Sequence, residues 1–213
     1  VARLDTEYYN NKRNMKIKYY ELKVTIASCL LLLISSCKDK TYNAIEPNAI
    51  AQQASIEEQT SHGEYLVNIM GCNDCHSPKQ MGKNGPEIIP ELMLSGYPAD
   101  RPIIKFTDPL IKVGFALFYP DQTAAAGPWG VTFAGNLTPD NTGIGNWTEE
   151  QFKKALTQGK YKGLDNTRML LPPMPWFNYT QLTDKDVNAI FSYLKSIKPV
   201  RNIVPSPVSP DKM

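Results

Sequence analysis

Two cysteines three positions apart with a histidine directly behind them, Cys72-Asn73-Asp74-Cys75-His76, constrain this chain more than any other feature. In that spacing both thiols can reach the vinyl groups of one porphyrin as thioethers, while the histidine turns an imidazole nitrogen onto the iron from the same face. The pattern predicts one covalently held haem c, attached through Cys72 and Cys75 with His76 as the proximal iron ligand. Other uses of the pair fit less well. A zinc site needs four ligands, and the chain offers only His62 and His76 with its other cysteines far upstream at 29 and 37. A thioredoxin-like dithiol wants βαβ surroundings, and neither flank reads as strands. A structural disulfide is the remaining alternative.

A second constraint lies near the N-terminus. Residues 24–34 form the single concentrated apolar run, with leucine at 30, 31, 32 and 33, preceded by Lys16, Lys18 and Lys23 and followed by Ser35-Ser36-Cys37. About eleven such residues are too few to cross a hydrocarbon core of ~30 Å, but they suit the apolar stretch of a secretory signal. Small residues ahead of a cysteine resemble a bacterial lipobox. Residues 15–36 are therefore expected to be a lipoprotein signal peptide, with Cys37 lipidated at the start of the mature chain. Cutting before Cys29 instead would strand four leucines outside the signal. Met15 looks like the natural start, which makes residues 1–14 an upstream extension. The expected location is an exported, membrane-anchored lipoprotein facing the periplasm or exterior of a bacterial cell.

Removing residues 1–37 takes six basic and three acidic groups from totals of 23 and 21, leaving 17 and 18. The mature chain is not basic, so nothing recommends a nucleic-acid partner. Composition is otherwise ordinary for a globular protein, at 42% hydrophobic and 21% charged, apart from its seventeen prolines and thirteen glycines.

Residues 37–54 are polar and without sustained apolar period, and read as a lipidated N-terminus and tether. A first helix is expected over residues 55–70, with capping boxes at Ser55 and Ser61, an apolar stripe of Tyr65, Leu66, Ile69 and Met70, and Gly71 as a left-handed cap. His62 on that helix is expected to be a surface or edge histidine rather than an iron ligand. Residues 77–145 are broken throughout by glycine and proline, which implies long loops wrapped around something; residues 112–119 and 130–133 are the best candidates for a small β-hairpin. Thr148-Glu149-Glu150-Gln151 opens a helix through Gln158, with Phe152, Ala155 and Leu156 inward and Gly159 as its stop. Lys153, Lys154, Lys160, Lys162 and Arg168 form either a docking patch or a solvated face. The last helix starts at the Thr183 capping box and runs through Ile197, burying Val187, Ile190, Leu194 and Ile197, with Leu182 and Val187 as a staple. Residues 205–213 are expected to be a flexible tail.

Between those two helices lies Leu170-Leu171-Pro172-Pro173-Met174-Pro175-Trp176, a stretch that cannot be helical. It reads as a rigid loop presenting a thioether, and Met174 is the candidate distal iron ligand. Met169 is the nearest rival, outside the proline cluster.

Together, the CNDCH pattern, the LPPMPW loop and the terminal helix make the chain resemble class I c-type cytochromes. More narrowly, Asn136-Leu137-Thr138-Pro139-Asp140, Thr142-Gly143-Ile144-Gly145 and Trp147-Thr148 look like the haem domains of cytochrome subunits of membrane-bound alcohol and related dehydrogenases. The likeness covers about residues 61–204. It implies an all-α cytochrome c fold over residues 55–204, with the first and last helices crossing near Gly63 and Tyr193 and long loops wrapping the haem. It also implies an electron carrier rather than an enzyme, passing single electrons between redox partner proteins and reaching the membrane through its lipid anchor. A haem-containing subunit of a dehydrogenase complex is the alternative; a haem peroxidase or sensor is a further one.

Overall fold

The computed structural model describes residues 47–103, 105 and 109–213. The expected signal peptide and upstream extension, Cys37 and the expected tether as far as residue 46 lie outside the described residues. Among those described, no helix is long and apolar enough to cross a membrane.

Helix α1 spans Pro47–Ile69, beginning well ahead of the expected start at Ser55. Proline's fixed φ and missing N–H suit a first turn, and the alanines and glutamines behind it favour helix. Residues 47–54, assigned to the tether, are therefore helical. The Ser55 hydroxyl is not a cap but donates back to the Gln52 carbonyl at 2.7 Å, within the helix. The inward face is also turned by one position from the expected stripe. Leu66 and Val67 are buried, whereas Tyr65 and Ile69 stay about 60% exposed. The cause is Gly63. A Cβ there would stand 2.0 Å from the Ala189 carbonyl oxygen and 2.9 Å from Tyr193 Cβ, so only glycine lets the two helices touch, and that contact sets the face.

After a left-handed Gly71 at φ 70°, the one-turn helix α2 covers Cys72–His76. Helix α4, Glu149–Gln158, starts at a reciprocal capping box between Thr148 and Gln151 and stops at left-handed Gly159, as the sequence predicts. Helix α5, Asp184–Ser196, opens on the matching box of Thr183 and Asp186 and buries Val187, Ala189, Ile190, Tyr193 and Leu194. Leu66, Val67, Phe152, Leu156, Val187, Ile190 and Leu194 share one core with Leu94 and Ile144, and Leu182 packs against it.

The fold departs from an all-α expectation in its middle, where two small sheets lie among the loops. Strands β1 (Lys79–Gly82) and β2 (Gly85–Ile88) pair antiparallel about Lys83-Asn84. After a turn of helix α3 at Pro109–Lys112, strands β3 (Leu117–Phe118), β4 (Ala124–Gly127) and β5 (Gly130–Phe133) form a sheet in the order β3-β4-β5. The expected hairpin of residues 112–119 with 130–133 is thus corrected. The partner of β5 is β4, through the two-residue turn Pro128-Trp129, and β3 joins on the far side. A run of three alanines made β4 invisible as a strand, since alanine disfavours strands; here a small side chain is what the buried position admits.

The C-terminal segment, expected to be a flexible tail, is docked. Val208 and Val131 exchange two backbone hydrogen bonds, N–H to carbonyl at 2.8 and 2.9 Å, which covers the open edge of β5. Val208 and Met213 pack with Ile111, Ala126 and Val131 in a second, smaller core.

Candidate haem site

Three devices place α2. Gly71 turns the chain sharply between α1 and α2, so that Cys72 packs against the helical core while Cys75 is half-exposed one turn on. The Ser77 hydroxyl donates to Asn73 Oδ1 at 2.7 Å and accepts from the Leu94 N–H at 2.8 Å, pinning the end of α2 to the loop behind it. Lys79 reaches back from β1, its ammonium donating to the carbonyls of Asn73, Asp74, Ser77 and Asp121 at 2.6–3.3 Å. A cation on the last carbonyls of a helix is favoured by charge and by the hydrogen bonds those groups otherwise lack.

Cys72 and Cys75 are both free thiols. Burial pushes the Cys72 thiol up to about 11, with the Asp74 carboxylate adding to the effect. Burial raises Cys75 as well; Asp74 adds to the rise and Lys79 opposes it. Burial thus favours the neutral S–H form of both side chains. Among the described residues no group of three or more His, Cys, Asp or Glu stands ready to hold a metal ion.

His76 Nδ1 lies 2.7 Å from the Gly135 carbonyl oxygen. A carbonyl can only accept, so Nδ1 carries the proton and Nε2 keeps a free lone pair. Burial lowers the pKa of His76, partly offset by this hydrogen bond, and the imidazole stays neutral. A neutral imidazole with Nδ1 held and Nε2 open is the form that ligates iron.

Met174 borders the same core as Cys72, together with Met70, Met93 and Leu137. Its loop is fixed at both ends and in the middle. Leu170 N–H donates to the Gly159 carbonyl at 2.6 Å, the Thr132 hydroxyl of β5 donates to the Pro172 carbonyl at 2.8 Å, and Tyr179 donates to the Met70 carbonyl at 3.2 Å. The last bond ties the methionine loop directly to the chain entering α2. Met169 is 39% exposed and sits in a bridge to Lys160, away from that arrangement. His62 is turned toward α5, its Nε2 2.9 Å from Asp186 Oδ1.

The residues present fit a haem. Cys72 and the Met174 thioether border one apolar core, Cys75 and His76 with its open Nε2 stand on the same turn as Cys72, and one buried donor of the chain is left open. Trp129 Nε1, at the tip of the β4–β5 hairpin, is buried without a hydrogen-bond partner, and a haem carboxylate is the kind of acceptor the chain itself does not supply. Gly135, Lys79 and Tyr179 were not singled out from sequence. A backbone carbonyl leaves no mark there, and Lys79 has only its place three residues behind His76.

Comparison with known proteins agrees with this chemistry. The cytochrome c family model matches residues 60–198, and the chain belongs to that family. It is 28% identical to the fructose dehydrogenase cytochrome subunit of Gluconobacter japonicus over 90% of this chain and 31% of that one. Similar relatives are the gluconate 2-dehydrogenase cytochrome c subunit of Pantoea cypripedii, 29% identical over 71% of this chain and 26% of the relative, and the alcohol dehydrogenase (quinone) cytochrome c subunit of Gluconobacter oxydans, 26% identical over 74% and 25%. The chain spans less than a third of the length of these relatives. It is a c-type haem protein.

Proposed function

We propose that this chain is a single-haem electron carrier in which Cys72 and Cys75 hold the haem covalently, His76 ligates the iron through Nε2, and Met174 supplies the distal sulfur. The observation that carries the reading is the His76 hydrogen bond to Gly135, which leaves the Nε2 lone pair open directly behind the two cysteines. Bound haem supplies the one-electron couple of its iron. The chain's share is to hold and insulate. Cys72 and Cys75 would hold the haem as thioethers, each S–H adding across one vinyl group with sulfur to one carbon and hydrogen to the other. Gly135 fixes the imidazole orientation. The core of Leu66, Leu94, Ile144 and Leu194 excludes water from the side that Cys72 and Met174 border. Low dielectric and a thioether ligand both favour the reduced, less charged iron.

The names of the relatives support a dehydrogenase as electron donor, with this chain as the haem-bearing partner that accepts electrons and passes them on. The leader argues for export and for a lipid anchor at Cys37. More than one acyl chain makes such anchoring stable.

Haem staining that survives denaturing electrophoresis is expected for the native protein and absent in a Cys72→Ala, Cys75→Ala double variant. Met174→Ala should abolish the sulfur-to-iron band of the oxidised near-infrared spectrum and lower the potential, while Met169→Ala leaves both unchanged. A colourless zinc-loaded protein would refute the assignment, and spectra of two histidine ligands that need His62 would overturn Met174. Mass spectrometry of the mature N-terminus tests Cys37: an acylated cysteine supports the anchor, an unmodified residue removes it.

A further inference from the structure

Behind the carbonyl that orients His76 stands a clamp built from the C-terminal segment. The Gly135 peptide is packed against Gly96. A Cβ on Gly96 would meet the Ala134 oxygen at 2.4 Å, and the Gly135 carbon and oxygen at 2.6 and 2.7 Å, so the two backbones are in direct contact. Gly96 has φ +79°, and the turn it makes ties both ends of the site: its N–H donates to the His76 carbonyl at 2.8 Å, and the next N–H, of Tyr97, donates to the Ala134 carbonyl at 3.0 Å. Residues 95–97 thus bridge the histidine and the peptide that faces it.

What holds that bridge is Asn202, buried at 8% exposure. Its Nδ2 donates to the Ser95 carbonyl at 2.7 Å and the Tyr97 carbonyl at 2.9 Å, one on each side of Gly96. Its Oδ1 accepts from the Ala99 N–H at 2.9 Å, and its own N–H donates to the Thr142 hydroxyl at 2.9 Å. The same segment grips the other side of the contact. Asn136, next in sequence to Gly135, donates from Nδ2 to the Val200 carbonyl at 2.8 Å and is 3.4 Å from the Asn202 carbonyl oxygen. One buried side chain therefore fixes the turn pressing on Gly135 while its flanking backbone fixes the residue after Gly135. Asn202 also lies beyond residue 198, where the match to the family model ends.

We infer that Asn202 is a positioning residue for the proximal histidine: it holds Gly96 against Gly135, keeps the Gly135 carbonyl on His76 Nδ1–H, and so sets how basic an imidazole the iron receives. The inference rests on His76 being the proximal ligand. A held Nδ1–H makes the imidazole a stronger donor, which favours oxidised iron; loosening the hydrogen bond should raise the potential.

The test uses the holoprotein. In the reduced state, proton NMR reads the His76 Nδ1–H, shifted by the haem ring, and its exchange with solvent; resonance Raman reads the iron–histidine stretch in a Met174→Ala background, where the reduced iron lacks its sixth ligand. Asn202→Ala is expected to speed that exchange about tenfold, as loss of one hydrogen bond would, to lower the stretch frequency and to raise the potential. Asn202→Asp, which keeps the acceptor for Ala99 but turns a second oxygen onto the Ser95 and Tyr97 carbonyls, should do the same. Gly163→Ala is the control, since a Cβ there would strike the Gln151 carbonyl on α4 instead. It should lower the melting temperature and leave the His76 signals in place. Should Asn202→Ala fail to yield holoprotein, Asn202→Asp and Asn202→Ser carry the measurement. A variant that melts lower with exchange, stretch and potential unchanged would overturn the positioning role. If the wild-type protein shows no haem-shifted His76 Nδ1–H at all, the ligand assignment fails first, and the inference with it.

Discussion

The helical layer and the sheet-and-tail unit bury apolar residues in different ways. The first draws Phe152, Leu156, Val187, Ile190 and Leu194 from two helices whose caps and 3.6-residue period are written locally. The second joins Ile111, Ala126 and Val131 with Leu117, Phe133, Val208 and Met213, residues that come from one helical turn, three short strands and the C-terminus. Five of those seven residues lie within 111–133, but on four separate elements, and Val208 and Met213 come from the far end of the chain. A polar network holds it in place: Arg101 donates to Asp121 at 2.7 Å and Thr123 at 3.0 Å, and its guanidinium lies over the Tyr97 and Tyr119 rings. Periodic packing stabilises the first region and specific polar partners the second, so the two should fail under different perturbations.

The largest effect is expected where the helices touch. Gly63→Val would place atoms inside the Ala189 carbonyl and against Tyr193, neither of which can rotate away. Overpacking of a closed contact costs about 3 kcal/mol or more. The variant should melt far below wild type by circular dichroism, with loss of the α1–α5 bond from Gln59 to Ser192. A Gly63→Val protein of native stability would mean that the crossing is not closed and that the face of α1 is set elsewhere.

Next in size is the Arg101–Asp121 pair. Burial raises the Asp121 pKa, but hydrogen bonds from Arg101 and Thr123 outweigh it and hold the carboxyl below its ordinary 3.8. A lowered folded pKa means stability that is present above the ordinary value and lost as pH falls through the folded one. Below about pH 4 the wild type should therefore lose stability more steeply than Asp121→Asn. At pH 7 the substitution removes the charge from the acceptor of a half-buried guanidinium, at a cost of about 2 kcal/mol, the range of a hydrogen bond between charged groups. Equal acid sensitivity of both proteins in denaturant titrations would show that the pair is not the strut of this region.

How much was legible follows the same division. Thr148 with Gln151 and Thr183 with Asp186 gave both later helices nearly to the residue, because a capping box is a local hydrogen-bond pair. CxxCH singled out Cys72, Cys75 and His76 because its spacing is equally local, and Pro172, Pro173 and Pro175 marked the loop of Met174; the haem roles of these four residues are proposed. The inward face of α1 was missed by one position because its arbiter, Ala189, is more than a hundred residues away. Strand β4 was hidden by its alanines. Gly135, which orients His76, acts through a carbonyl that every residue possesses, and Asn202 is an ordinary asparagine in a proline-rich stretch until its partners at Ser95, Tyr97 and Ala99 are seen.

The smallest effect separates a docked tail from a loose one. The Val131 N–H donates to Val208 rather than to β4, whose partner on that side of the hairpin is fixed by the 126–131 pairing. Deleting residues 206–213 removes both bonds of the Val131–Val208 bridge and uncovers Ile111 and Val131, for about 1 kcal/mol of net stability once the ordering of the tail is set against it. Global melting is a blunt measure of so small a change; amide exchange is a sharp one. In the truncated protein the Val131 amide should exchange at least tenfold faster, while Ile190 and Leu194 in α5, which belong to the other core, keep their protection. An unchanged Val131 amide would mean that β5 is closed by something other than the tail. A loss of protection that spreads into α5 would mean that the two cores unfold as one, and the contrast between them would then describe how each is encoded but not how each fails.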